Sequence, residues 1–252
     1  MVEKNKKIFG LLGKNIEYSF SRGYFSKKFE NLQLEQYKYV NFDIEKIGDF
    51  PFIIRNEKPH LGGINVTIPY KEEVLQFLDV LDETAKEIGA VNTIKFLNNG
   101  QLKGYNSDSV GFEKSLLPLL ENHHKNALIL GTGGASKAVA FALKKNNIKF
   151  KFVSRNPKDQ ETLRYEDLTK NLLENHQIII NTTPVGTSPN IEESPNIPYQ
   201  FITKDHLLYD LIYNPEVTQF LSKGSINGAI IKNGYEMLQL QAEESWRIWN
   251  EG

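Results

Sequence analysis

The chain of 252 residues contains no cysteine. That absence excludes disulfide cross-links, thiolate catalysis, iron–sulfur clusters and Cys-ligated zinc, and it suits a reducing compartment such as the cytosol. Charge of one sign is missing as well. Thirty Lys and Arg stand against thirty-one Asp and Glu, a formal charge of −1. Such a balance gives no long-range attraction to nucleic acid or anionic lipid, so neither is expected as a partner. No apolar run approaches the roughly 18 residues that cross a bilayer. Lys4, Lys6 and Lys7 precede Ile8 to Leu12, but that stretch is short and broken by Gly10, unlike the apolar core of a signal peptide. Repeats and low-complexity blocks are absent too. With 40% apolar and 24% charged residues, the chain can bury a core and is long enough for one large domain or two small ones. A cytoplasmic protein is the expectation.

The first hundred residues alternate between strand and helix patterns. Ile8 to Leu12, closed by Gly13, reads as a buried strand, and Tyr37 to Phe42 as another. Ser26 to Leu34 has weak helical spacing. Pro69 suits the first turn of a helix, and Val74, Leu75, Phe77, Leu78 and Leu81 then keep a 3.6 period. Val91 to Phe96 and Leu102 to Tyr105 flank Asn98-Asn99-Gly100, a hairpin signal. A second unit starts near Ser107. Ala127 to Leu130 is a compact strand, Ser136 to Lys145 a helix, and Ile148 to Phe152 an alternating strand. Ile178 to Ile180 and Leu207 to Ile212 add two more. Strand, helix, strand in that order argues for a parallel sheet with crossover helices. Pro184 to Pro198, with four prolines, is a long loop of the kind that carries function or moves. Gly234 to Trp249 closes the chain as a helix in which the polar Gln241 lies beside an apolar stripe.

The most specific chemical signal is Gly131-Thr132-Gly133-Gly134-Ala135, directly after a strand and opening a helix. Gly131 and Gly133 match the first two positions of G-x-G-x-x-G/A, and Ser136 stands at the third. Without a Cβ the backbone can approach a pyrophosphate, whose charge meets the free N–H groups of the helix N-terminus. The same residues also serve as a plain tight turn. NAD sites place an acid about 20 residues further on, at the end of the second strand. Here that strand ends Val153-Ser154-Arg155-Asn156. The missing carboxylate and the guanidinium of Arg155 favour a 2′-phosphate, hence NADP; the plainer reading is an exposed loop arginine. Lys71 falls in the first turn after Pro69, where the helix dipole disfavours a cation, so it is either solvated or near an anion. Asp108 stands at a helix N-cap, a common structural place for aspartate. Ser19 and Ser21, two apart, would point the same way if extended.

Taken in order along the chain, these segments resemble the shikimate dehydrogenase family. Tyr18-Ser19-Phe20-Ser21 is similar to its His-Ser-x-Ser, with Tyr18 in place of the histidine and Arg22 in place of the following proline. Asn65 to Lys71 is similar to Asn-Val-Thr-x-Pro-x-Lys, and Gly89 to Thr93 to Gly-Ala-Val-Asn-Thr. Gly104 to Gly111 is similar to Gly-x-Asn-Thr-Asp-x-x-Gly, with Ser107 for threonine. The glycine turn, Asn181-Thr182-Thr183-Pro184, Asp210 to Pro215 and Gly234 to Trp249 follow in register, with Ser154 for a frequent asparagine and Leu211 for a frequent methionine.

The resemblance implies an α/β fold of two domains. Residues 1–104 would form the substrate domain, 105–231 a Rossmann-like NADP domain, and 232–252 a helix returning to the first, with the active site in the cleft between them. Lys71 and Asp108 would be the catalytic pair. Ser19, Ser21, Thr67, Asn92, Tyr213 and Gln241 would hold the substrate's carboxylate and hydroxyls. Gly131, Gly133, Gly134, Ala135, Ser154, Arg155, Thr182, Thr183, Leu211 and Gly234 would hold NADP. The implied reaction is reversible reduction of 3-dehydroshikimate in aromatic amino-acid biosynthesis, with no metal, by a monomer or homodimer. An ammonium such as Lys71 can stabilise the developing alkoxide and give it a proton, and Asp108 would orient that ammonium. Paired His123-His124 reads as surface loop. Two alternatives stand beside this: a quinate/shikimate dehydrogenase of broader substrate or NAD use, and a non-catalytic NADP- or metabolite-binding relative.

Overall fold

The strand patterns of the first hundred residues converge on one mixed sheet. The computed structural model describes residues 6–17, 19–57 and 60–251; Lys4 and Tyr18 of the sequence reading lie outside them. The chain divides into two compact units, one formed by Met1–Ser107 with Ala242–Gly252 and the other by Asp108–Gln241. The division differs from 1–104, 105–231 and 232–252: the last segment is shared, residues up to Gln241 going with the second unit and the rest with the first.

In the first unit, β1 (Lys7–Gly13), β2 (Tyr37–Asp43), β3 (Leu61–Val66), β4 (Val80–Leu81), β5 (Thr93–Phe96) and β6 (Leu102–Tyr105) lie in the order β2-β1-β3-β5-β6-β4. Strands β1, β2 and β3 are parallel, and β5 runs antiparallel to both β3 and β6. Helices α1 (Phe20–Asn31), α2 (Phe50–Glu57) and α3 (Glu83–Ile88) accompany them. One core gathers Phe9, Phe25, Phe29, Tyr39 and Trp249, and another gathers Leu12, Ile64, Val66, Val74, Val91 and Ile94. Trp249 packs where a Cβ on Gly63 would stand, and its Nε1 donates to the Ile94 carbonyl at 3.0 Å.

Two local expectations change here. The apolar period after Pro69 is not an α-helix. Tyr70 N–H donates to Thr67 O and Val74 N–H to Tyr70 O; a short 3₁₀ turn spans Glu73–Phe77, and Leu81 belongs to β4. These apolar side chains share a core from a turn, a 3₁₀ turn and a strand, so their spacing reported burial rather than a continuous helix. Helix α1 begins six residues earlier than Ser26 because Ser19 caps it, accepting the Arg22 N–H at 3.3 Å. Ser21 is therefore helical, and the extended pairing of Ser19 with Ser21 does not form.

The second unit holds α4 (Ser107–Leu116, whose first residue belongs to the first unit), β7 (Asn126–Leu130), α5 (Gly134–Lys145) and β8 (Lys149–Val153). After these come α6 (Lys170–Glu174), β9 (Ile178–Asn181), β10 (Leu207–Asp210), α7 (Gln219–Ile226), β11 (Ile230–Lys232) and the start of α8 (Tyr235–Asn250). Its sheet is wholly parallel, in the order β11-β10-β9-β7-β8. Side chains alternate between two cores. Ala127, Ile129, Ile178, Ile180, Leu207 and Tyr209 fill one, and Leu128, Leu130, Ile179 and Leu208 the other. Cover on both faces is why these strands read as unbroken apolar runs. Among the described residues no helix is long and apolar enough to cross a membrane.

His124 is buried, contrary to the surface reading of the histidine pair. Its Nδ1 accepts the Glu121 N–H at 2.9 Å while Nε2 faces the Asp205 carbonyl at 3.3 Å. A ring that satisfies two backbone groups can close the turn into β7 from inside.

Candidate active site

The strand order of the second unit reverses between β7 and β9, and in open parallel sheets ligands bind beyond the carboxyl ends of the strands at such a point. Register sharpens this. Val153, Leu130, Asn181 and Asp210 stand opposite one another across β8, β7, β9 and β10. The next residue on each strand is Ser154, Gly131, Thr182 or Leu211, so four sequence-predicted cofactor residues fall on one row.

Within that row the glycines differ. Gly131 has φ +107°, and a Cβ there would lie 2.8 Å from Thr182 Oγ1 and 3.0 Å from Thr183 Cγ2. Gly133, the N-cap of α5, has φ −82° and no side-chain cap, and nothing lies within 4 Å of a Cβ built on it. Gly131 is thus demanded by the turn. Gly133 leaves open space at the N-terminus of a twelve-residue helix, where a phosphate is favoured. Ser136 is buried and donates to Gly133 O at 2.6 Å, closing the turn in place of a third glycine. Arg155 is exposed and lines a cavity of about 470 Å³ together with Tyr165, Glu166, Thr183 and Glu193. These residues fit a dinucleotide bearing a 2′-phosphate: open backbone for the pyrophosphate, and a guanidinium with no acid in its place on β8. A larger hollow of about 950 Å³ between α1 and β2 holds none of the sequence-predicted site residues.

Two residues that position this row were missed as site residues. Asn181 Oδ1 accepts both the N–H and the O–H of Thr183, at 3.0 and 2.6 Å, and its Nδ2 donates to Asp210 Oδ1 at 3.1 Å. Asp210 also accepts the Ile212 N–H at 3.0 Å and the Thr218 O–H at 2.6 Å. Burial pushes its carboxyl up to about 6. The signal was available: each is the lone polar residue ending an apolar strand. Thr182 donates to Leu130 O through both N–H and Oγ1. The Gly234 backbone lies against the Leu211 carbonyl where a Cβ would stand, so Gly234 allows a close approach of two chain segments.

In the first unit the backbone ties three motifs together. Val91 N–H donates to Lys71 O at 2.8 Å, Val66 N–H to Asn92 O at 2.8 Å, and Asn92 N–H to Tyr105 O at 3.1 Å. Asn106 Nδ2 donates to Ala90 O at 2.9 Å. Lys71 is half-buried in the turn after Pro69 rather than in an α-helix. Asn92 accepts the Ser107 N–H at 2.7 Å and donates to Ser107 Oγ at 2.9 Å, leaving the second Nδ2 hydrogen for any further partner. Thr67 directs its methyl toward Gly13. Ser19 is half-buried and Ser21 buried.

Asp108 is the second residue of α4, inside its first turn instead of at the N-cap. Three residues on, Gly111 would place a Cβ 2.7 Å from Met237 O and 2.9 Å from Gln241 N, so α4 and α8 meet backbone to backbone there. Helical spacing puts Asp108 on the same face of α4 as Gly111. Gln241 is buried, with Nε2 donating to Leu238 O at 2.9 Å. Tyr213 is exposed beyond β10. Among the described residues no group of three His, Asp or Glu could hold a metal ion.

A parallel sheet with a glycine turn at its switch point, in a chain that also carries a second α/β unit, defines a Rossmann-like dinucleotide-dependent oxidoreductase. Residues 11–94 match the shikimate dehydrogenase substrate binding domain. A shikimate dehydrogenase (NADP(+)) from Methanococcus maripaludis is 38% identical, covering 99% of this chain and 94% of the relative. Among solved structures, the shikimate dehydrogenase from Aquifex aeolicus superposes with a TM-score of 0.87 at 35% identity, over 99% of this chain and 94% of that one. The Thermus thermophilus enzyme, solved with NADP(H) and shikimate, gives 0.85 at 29% identity over 97% and 93%. The chain belongs to the shikimate dehydrogenase family.

Proposed function

We propose that the chain catalyses the reversible, NADP-dependent reduction of 3-dehydroshikimate to shikimate, in aromatic amino-acid biosynthesis in the cytoplasm, as a monomer or homodimer. The observation that carries this reading is the row Gly131, Ser154, Thr182 and Leu211 at the strand ends, with Arg155 at its β8 end and open space over Gly133. Gly131, Gly133, Gly134 and Ala135 hold the pyrophosphate through backbone, Ser154 and Arg155 the 2′-phosphate, and Thr182, Thr183, Leu211 and Gly234 shape the remaining wall. NADPH, when bound, supplies the hydride. The proton comes from the chain. Lys71 stabilises the developing alkoxide as an ammonium and donates to it, and takes the proton back in the reverse direction. Asp108 completes the catalytic pair with that lysine. Ser19, Ser21, Thr67, Asn92, Tyr213 and Gln241 orient the ring through its carboxylate and hydroxyls.

The direct test follows the NADPH absorbance band with shikimate and NADP supplied together. Turnover is expected, and Lys71→Ala should lower kcat by about two to four orders of magnitude with shikimate binding less affected. Near-normal turnover in that variant would end the lysine assignment. A higher kcat/KM for quinate with NAD than for shikimate with NADP would move the chain to the quinate-preferring relatives.

A further inference from the structure

One face of α8 is set onto the first sheet by matched spacings. Trp249 occupies the space over Gly63 of β3. Four residues earlier on the same helix face, Ser245 Oγ meets Asn65 Nδ2 at 2.9 Å, two residues further along the same face of β3. Four helical residues rise about 6 Å and two strand residues about 6.6 Å, so the two contacts fit together. Ser245 is polar and completely buried there. Its hydroxyl also meets Thr93 Oγ1 at 2.8 Å and Ser107 Oγ at 3.0 Å, and both of those touch the Asn92 side chain.

The orientation of the Asn92 amide can be deduced. The Ser107 N–H only donates, so the atom 2.7 Å from it is Oδ1, and Nδ2 faces Ser107 Oγ at 2.9 Å. From there the distances permit a closed circuit in which each hydroxyl accepts and donates. Asn92 Nδ2 donates to Ser107, Ser107 to Ser245, Ser245 to Thr93, and Thr93 back to Asn92 Oδ1 at 3.1 Å. Within that circuit Ser245 is the member supplied by α8.

We propose that Ser245 is a positioning residue for substrate: by joining Ser107 to Thr93 it holds both ends of the Asn92 amide and so aims the remaining Nδ2 hydrogen. The proposal rests on the functional reading in which Asn92 contacts shikimate. Without the Ser245 oxygen, the direct contact of Thr93 with Ser107 at 3.2 Å is what remains to close the circuit, and it exceeds the usual O–H···O range of about 2.5–3.0 Å. Asn92 then keeps its place on the chain, but its amide is held less firmly. Asn92 acts on the bound ring rather than on the reacting carbon, so that loss weakens substrate and transition state alike.

The test is steady-state kinetics of Ser245→Ala, Asn92→Ala and the double variant, with each protein's thermal midpoint recorded. Ser245→Ala is expected to raise the shikimate KM about three- to tenfold, the range of one neutral hydrogen bond. Its kcat should stay within about twofold and its KM for NADP should not change. The double variant should have a shikimate KM no higher than Asn92→Ala alone, since the serine acts through the asparagine. An unchanged shikimate KM in Ser245→Ala, whatever happens to its thermal midpoint, overturns the proposal. So does an equal rise in both KM values, the mark of general loosening, and so do effects that multiply in the double variant. Thr93→Val, which opens the same circuit at its next member while keeping the shape of the side chain, carries the same expectations should Ser245→Ala not fold. Failure of the unmodified protein to turn over shikimate refutes the functional reading itself, an outcome separate from any result on Ser245.

Discussion

Gly131→Ala and Gly133→Ala, two residues apart in one turn, should fail in opposite ways. At Gly131 the backbone lies at φ +107°, which costs an alanine about 1–3 kcal/mol. Its methyl would also press on Thr182 Oγ1 at 2.8 Å. That oxygen is held by a 2.7 Å bond to Leu130 O, and breaking the bond adds about 0.5–1.5 kcal/mol. Together the loss is about 1.5–4.5 kcal/mol, or a fall of about 3–18 °C in the midpoint for a chain of this size. At Gly133 φ is −82° and the methyl meets nothing within 4 Å. Alanine is a poorer N-cap than glycine, but the stiffer unfolded chain offsets this by about 0.4–1 kcal/mol. The midpoint should therefore move by less than about 2 °C. The same methyl would stand over the N-terminus of α5, in the way of a pyrophosphate, and should weaken NADP binding about tenfold or more, roughly 1.4 kcal/mol. Differential scanning fluorimetry and a fluorescence titration with NADPH read the two effects separately. Equal thermal losses in both variants, or wild-type NADPH affinity in Gly133→Ala, would refute the argument.

Arg155→Ala should raise KM for NADP by at least about tenfold while altering KM for NAD little, since only the former carries a phosphate for the fork to grip; parallel changes would mean that Arg155 does not read the 2′-phosphate. Acid should loosen the second unit through two buried histidines. His124 Nδ1 accepts the Glu121 N–H and His206 Nδ1 the Thr203 N–H, so both rings must be neutral, and burial lowers both pKa values. A histidine with a depressed folded pKa contributes stability that is complete above its unfolded value of about 6.5 and is lost as pH falls below it. The thermal midpoint should drop between about pH 7 and pH 5, and His124→Asn, which keeps an acceptor near Nδ1, should flatten that drop; identical slopes would dismiss the mechanism.

The sequence by itself carried the features that depend on near neighbours. Unbroken apolar strands in the second half announced a sheet covered on both faces. Glycines directly after an apolar strand marked the turn from β7 into α5. Asn98-Asn99-Gly100 predicted the hairpin between β5 and β6, which is antiparallel as expected. Each rests on contacts within a few residues or on a periodicity along one element.

Only the tertiary structure decided which of those residues are needed for what. It separated Gly131 from Gly133, turned Ser19 into the cap of α1, and broke the apparent helix after Pro69 into a turn, a 3₁₀ turn and a strand. It also revealed Asn181 with Asp210, and Tyr39 with Asn65. Those partners are 29 and 26 residues apart, and Asn65 meets Ser245 across 180. No local pattern encodes such meetings, because a buried polar side chain takes whichever partner the packing of distant elements brings within 3 Å or so.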